Sequence, residues 1–269
     1  MKKLLLTSLF AVGAMSAANA ANVINDNPMY RPGEGNFYSV TSLETDTVFR
    51  GWGLGEELGY GITDQLSVYL LTSGSAYFAE VGDNEYAWSS LGLGASLRYL
   101  DHGNLKADAY GQGVMVGVLD TFEANDYAWN WTVGTKVGWV ESDWTVAGLV
   151  EANYLRGKEV AGKLEMFERL GALRLGMLGQ YIFDSNWNIT GSLIYTANAY
   201  VAASIDFDGK EVFSGSEWFP EGGNALDLKV GVNYNIDSNM YVGVYATREL
   251  IMDVDEKEFG LGAKFGIQF

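Results

Sequence analysis

The chain has 269 residues, 48% of them apolar and 14% aromatic, with 34 glycines, 3 prolines and no cysteine. Its 17 Lys+Arg against 34 Asp+Glu leave a net charge of -17, which argues against a nucleic-acid binder, because that role needs basic surface. Without cysteine there are no disulfides, no thiolate metal sites and no lipoprotein anchor.

The first twenty residues read as a processing signal. Lys2 and Lys3 form a positive start, the stretch from Leu4 to Ala17 is apolar, and Ala18-Asn19-Ala20 is an A-x-A cleavage site. The mature chain is therefore expected to begin at Ala21. Past this signal no run of about 18 apolar residues occurs, so membrane-spanning helices are not expected. Residues 21–36 are polar, carry Pro28 and Pro32, and read as an extended, flexible lead-in, with a plug as the alternative.

From Phe37 onward, segments of period two are separated by connections that are alternately short and long. Side chains of a strand alternate between two faces, so each segment can be sorted. The first two strands are expected at 37–44 and 48–62. The second has Trp52, Leu54, Leu58, Tyr60 and Ile62 on one face and Gly51, Gly53, Gly55, Gly59 and Gly61 on the other. After the turn Thr63-Asp64-Gln65, the third strand (66–78) has Leu66, Val68 and Leu70 opposite Ser67, Tyr69 and Ser73. The fourth (86–99) has Leu91, Leu93, Ala95 and Leu97 opposite Gly92, Gly94, Ser96 and Arg98. The fifth (105–119) puts Lys106, Asp108, Tyr110 and Gln112 on its polar face.

The sixth is the clearest, with Trp129, Trp131, Val133, Val137 and Trp139 opposite Asn130, Thr132, Gly134, Lys136 and Gly138. Glu141-Ser142-Asp143 turns it into Trp144, Val146, Val150 and Tyr154, with Thr145, Glu151 and Asn153 opposite. The eighth has Phe167, Leu173, Leu175, Met177 and Tyr181 opposite Glu168, Arg174 and Gln180. The ninth has Trp187, Ile189, Leu193 and Tyr195 opposite Asn188, Thr190, Ser192 and Thr196. The longest connection is expected over 202–224. Then Leu226, Leu228, Val230 and Val232 stand opposite Asp227, Lys229 and Asn233. The facing of the eleventh strand, 240–250, is not settled by its pattern. The last strand, Phe259 to Phe269, has an apolar face of Phe259, Leu261, Ala263, Phe265, Ile267 and Phe269, and a small or polar face that includes Lys264.

Twelve strands joined by five short turns and six longer loops form an even-stranded barrel with both termini on the short-turn side. Three features put lipid rather than water outside. Aromatics flank the apolar faces at both ends, as rings at two membrane interfaces do. The opposite faces carry mid-strand charges that a dry soluble core would not tolerate. Closure satisfies every backbone group, which lipid requires. Glu56 breaks the pattern by sharing the face of Trp52 and Leu58. A carboxylate toward lipid is costly, so a bulge near Gly55 that turns Glu56 or Glu57 inward is expected.

The signal segment, the G-Y-G-I-T-D-Q-L-S turn at 59–67 and the terminal phenylalanine resemble Gram-negative outer-membrane β-barrels along the whole mature chain. The resemblance implies an all-β fold: one closed antiparallel transmembrane barrel over 37–269, with short periplasmic turns, longer extracellular loops and a periplasmic lead-in at 21–36. It implies a location in the outer membrane, contact with its lipid and lipopolysaccharide, and no cofactor. Phe265, Ile267 and Phe269 resemble the assembly signal read by the barrel-assembly machinery. Twelve strands are similar to small monomeric oligosaccharide or nucleoside channels, and also to phospholipase, lipid-A deacylase and autotransporter barrels.

An enzyme is not expected. The single histidine, His102, falls in a short turn on the periplasmic side, and no carboxylate pair stands out. No passenger segment precedes the barrel, which weighs against an autotransporter. The candidate functional residues are the inward Arg98, Lys106, Asp108, Tyr110, Lys136, Glu151, Glu168, Arg174, Asp227, Lys229 and Lys264. They would line a polar pore for ions or small hydrophilic solutes, porin-like and mildly cation-preferring. The alternative is a non-conducting structural or surface-interaction barrel whose acidic loops are its working part. Those loops carry Asp120, Glu123 and Asp126; Asp206, Asp208, Glu211, Glu217 and Glu221; and Asp253, Asp255 and Glu256. They are candidates for binding divalent cations. The 202–224 connection also holds Phe207, Phe213, Trp218 and Phe219. It would constrict the mouth, cap it, or present a partner site.

Overall fold

The computed structural model describes residues 26–46, 49, 51–77, 85–116, 127–161, 163–220, 224–252 and 259–269. The signal segment and the loop acids at 120–126, 221 and 253–256 lie outside these residues. In chain order the strands are β1 (Phe37–Asp46), β2 (Gly51–Gly61), β3 (Leu66–Tyr77), β4 (Glu85–His102), β5 (Leu105–Val116), β6 (Tyr127–Val140) and β7 (Trp144–Ala161). They continue with β8 (Leu164–Ile182), β9 (Trp187–Phe207), β10 (Lys210–Trp218), β11 (Ala225–Asn235), β12 (Met240–Met252) and β13 (Phe259–Gln268).

Each strand pairs antiparallel with its neighbours, and β13 returns to pair with β1. The seam closes through reciprocal backbone bonds between Phe37 and Phe269. Ring closure uses twelve strands. β10 is an extra one, paired only with the upper part of β9, while the lower part of β9 pairs with β11. Five short connections (62–65, 103–104, 141–143, 183–186 and 236–239) share one end with both barrel termini.

The sorting of faces follows the alternation. Leu93, Val133 and Met177 are more than 60% exposed on the outside, whereas Thr132, Glu151 and Asn188 are fully buried inside. This is the inside-out distribution of a barrel in lipid. β12 resolves as well: Tyr241 and Tyr245 point inward, and Val242 and Val244 outward. The inward tyrosines explain many of the inward glycines. In register, Tyr38 lies opposite Gly59, Tyr69 opposite Gly94, Tyr110 opposite Gly134, Tyr245 opposite Gly262 and Tyr241 opposite Gly266. Each ring lies over its glycine. A Cβ added at Gly59 would sit 2.1 Å from the Tyr38 ring, and one at Gly266 would sit 2.1 Å from Tyr241. The glycines are where the neighbouring strand accepts a ring.

Two expectations need correction. There is no bulge at Gly55, because β2 keeps an unbroken register with both β1 and β3 through 55–57. Glu57 points inward by parity. Glu56 stays on the outer face, where the hydroxyls of Ser39 and Thr41 donate to its two oxygens at 2.5 Å each. Two charge-assisted bonds offset what a kink would have avoided. The 202–224 stretch is also largely strand rather than loop. β9 runs on to Phe207, turns at Asp208-Gly209, and returns as β10. Both turn residues have positive φ (51° and 76°), the signature of a two-residue hairpin. Asp206-Phe207-Asp208-Gly209 is therefore the tip of a hairpin, and no metal-type cluster occurs among the described residues. Every residue of β10 is exposed, so the hairpin stands above the rim and does not fold into the mouth.

Candidate functional site

The lumen is filled from the short-turn end. Residues 26–36 do not form a free lead-in; they turn into the barrel and bond to strands all around it. Asp26 pairs with Lys264 on β13 and accepts from Thr190 on β9. Asn27 donates to Thr145 on β7 at 2.9 Å. The Pro28 carbonyl accepts from Lys136 on β6 at 3.1 Å, and the Met29 carbonyl accepts from Arg98 on β4. Tyr30 donates to Gln268 on β13. Arg31 reaches Ser67 on β3, Ser96 on β4 and Asp108 on β5. Gly35 and Asn36 exchange backbone bonds with Gly61 on β2, so eight strands hold one short segment. Met29 is 2% exposed, seated where Gly138 leaves space. Two prolines and several backbone groups that cannot join the sheet suit a segment that crosses a barrel.

Three carboxylates organise the charges around it. Asp108 holds Arg98 through a two-point contact of 2.8 and 3.1 Å, with Arg31 at 3.5 Å. Glu151 takes Tyr110 at 2.7 Å and Arg174 at 3.1 Å. Glu57 accepts from Tyr38 at 2.5 Å. Burial lowers the Arg31 guanidinium from its ordinary pKa and Asp108 works against that shift. Lys136 lies over the Tyr110 ring at 5.7 Å, and Lys229 over Tyr245 at 3.7 Å, with Lys264 5.4 Å from that same ring. Neutralised in these ways, the charges are affordable away from bulk water.

The sequence-selected residues therefore fall into three groups. Arg98, Asp108, Tyr110, Lys136, Glu151, Arg174, Lys229 and Lys264 come together inside the barrel. Lys106 pairs with Asp101 at 2.6 Å beside the short turn that follows His102. Glu168 is exposed toward the long-loop end, and Asp227 lies directly across from Glu249 on β12. Phe265 and Phe269 are exposed on the outer face of β13, on the same alternation as Ile267.

Sequence reasoning missed the apolar part of the inner wall. Val114, Ala128 and Leu155 pack together with Leu71 and Leu170. Tyr110, Leu149 and Ile194 pack with Leu178. The signal was available: Leu149 and Leu155 share the parity of Glu151, Val114 that of Gln112, and Ala128 that of Asn130. Toward the long-loop end the inner wall is a mixture of apolar and polar surface.

No family model matches the chain, and no curated protein matches it. Among solved structures it is similar to an outer membrane channel from Pseudomonas putida F1 (TM-score 0.64, 14% identity, covering 90% of this chain and 98% of that one). It is also similar to the NanC porin (TM-score 0.54, 7% identity, 86% and 98% covered). A third likeness is to the translocator domain of the autotransporter NalP from Neisseria meningitidis (TM-score 0.54, 10% identity, 100% and 97% covered). Porins and a translocator share this architecture, so the likeness carries the fold and not the task. The chain has the fold of an outer-membrane β-barrel: closed, antiparallel and twelve-stranded.

Proposed function

We propose that the chain is an outer-membrane barrel acting as a passive diffusion channel for ions or small solutes, and that its resting lumen is closed at the periplasmic end by residues 26–36. One observation carries this reading. The segment is bound to eight strands, yet it joins the wall covalently only where it enters β1. It is tethered at one end and held elsewhere by separable hydrogen bonds and ion pairs. Solved outer membrane channels and porins of the same fold support the channel role. The signal-like residues 1–20 support export to the outer membrane. The acids Asp206, Asp208, Glu211 and Glu217 on the β9–β10 hairpin support a mild cation preference, since carboxylates at a mouth concentrate cations.

Planar-bilayer recording of the refolded mature chain tests it. Discrete openings, with a reversal potential on the cation-selective side in a salt gradient, are expected; silence at all voltages would sink the proposal. The same plugged lumen favours a second reading, a non-conducting barrel in which the segment is a permanent core. Removing residues 26–36 separates the two. A channel gains conductance, whereas a structural core leaves a barrel that no longer refolds.

A further inference from the structure

The outer surface carries an unexplained pair of cations. Arg156 on β7 and Arg169 on β8 are directly opposite each other in the register. Both belong to the outward alternation, in line with exposed Tyr154 and Leu173, and both are themselves exposed. Like charges directly opposite on one face of a sheet destabilise the pairing. The neighbours do not relieve this: Arg156 is flanked by Trp129 and Arg169 by Ala202. Among the described residues neither arginine has a carboxylate partner. The nearest outward cation, Lys158, is already engaged with Glu165 at 3.0 Å.

Height on the wall supplies the second observation. Just below the pair, on the same outer face, Tyr154 and Tyr200 flank Gly171, and Trp129 stacks near Trp131 at 6.0 Å. Rings of this kind mark the headgroup level of a membrane, and this belt is at the long-loop, extracellular end. Two adjacent guanidinium groups at that level present a planar fork suited to phosphate oxygens.

We propose that Arg156 and Arg169 form a binding site for the phosphate of an outer-leaflet lipid headgroup, of the phosphorylated lipid A class, held against the outer wall of β7–β8. The anion relieves the repulsion between the arginines. This rests on the outer-membrane placement proposed above.

The refolded mature chain, checked for its compact form by heat-modifiable migration, is titrated in detergent with phosphorylated lipid A. The same lipid after dephosphorylation is the second arm, and inorganic phosphate is the competitor. The wild type is expected to prefer the phosphorylated lipid by about tenfold or more, since each cation near a lipid surface is worth about a factor of five. R156Q/R169Q should erase that preference, and the single variants should each lose part of it. K163Q, a change at an exposed rim lysine, should leave it intact. An unchanged preference in the folded double variant overturns the site. Displacement of the lipid by modest inorganic phosphate also overturns it, by showing a free-anion site that does not select lipid. If the double variant does not refold, the single variants decide: full preference in both overturns the site. Failure of the wild type to insert into phospholipid vesicles would count against the membrane placement. Normal insertion without headgroup discrimination would count against this site alone.

Discussion

The two ends of this barrel are built on different terms. At the short-turn end the inner wall is polar, and a segment of the chain's own N-terminal region is bonded across the lumen. At the long-loop end β7, β8 and β9 run to 18, 19 and 21 residues, about twice the length of β1 or β13, and β10 is paired with β9 alone. One end is organised around buried ion pairs and the other around exposed surface. On the proposed orientation, a solute arriving from outside would meet the tall wall first and the closure last. The difference teaches that any control of passage sits in the lower half, and any recognition of lipid or partner in the upper half.

The largest expected effect comes from removing the closure. A chain lacking residues 26–36 should be open severalfold more of the time than the full chain, measured as single-channel open probability in the same salt. Equal open probabilities would mean that the segment does not limit passage. Next is the ion-pair cluster. D108N removes the buried carboxylate shared by Arg98 and Arg31, leaving Arg98 only the more exposed Asp101 at 3.7 Å, and breaking a buried pair costs about 3–5 kcal/mol. Urea unfolding of the refolded barrel should register that loss; a change below about 1 kcal/mol would indicate a wet, screened lumen.

A smaller effect is expected from G94A. A Cβ there would sit 2.2 Å from the Tyr69 ring, and overpacking of this kind costs about 1–3 kcal/mol. Y69A should rescue it, so that the double variant loses less than the two singles together. If the costs simply add, the ring is not seated on the glycine. The smallest effect belongs to the opposite end. Every residue of β10 is exposed, so V212T on that strand removes no buried contact. Stability should stay within about 0.5 kcal/mol of the parent, as for surface changes generally.

Much of the wall could be read from residues alone, because the code for it is local. Trp129, Trp131 and Val133 alternating with Asn130 and Thr132 fix both a strand and its faces. Asp184-Ser185-Asn186 fixes a turn, through Asp184 accepting from the amides of Asn186 and Trp187. What was not legible depends on partners distant in sequence. Nothing in Pro28-Met29-Tyr30-Arg31 indicates that serines on β3 and β4 and a carboxylate on β5 await it. β12 was ambiguous because Tyr241 and Tyr245 look like lipid-facing rings until Gly266 and Gly262 are known to lie opposite. The β9–β10 hairpin was legible in principle, since Asp208-Gly209 is a strong turn signal, but the surrounding acids made it read as a loop.

The central claim, that residues 26–36 must leave the lumen for conduction, can be tested with one cross-link. The natural chain has no cysteine, so an introduced pair is unique. A Cβ built on Gly138 lies 2.6 Å from the Met29 Cγ, close to the spacing between a sulfur and the opposite Cβ in a disulfide. Single-channel recording of M29C/G138C under oxidising conditions, followed by addition of a reductant to the same bilayer, is the direct measurement. The account predicts silence while the bridge is intact and wild-type openings once it is reduced. Identical openings before and after reduction, with the bridge verified by mass, would contradict it.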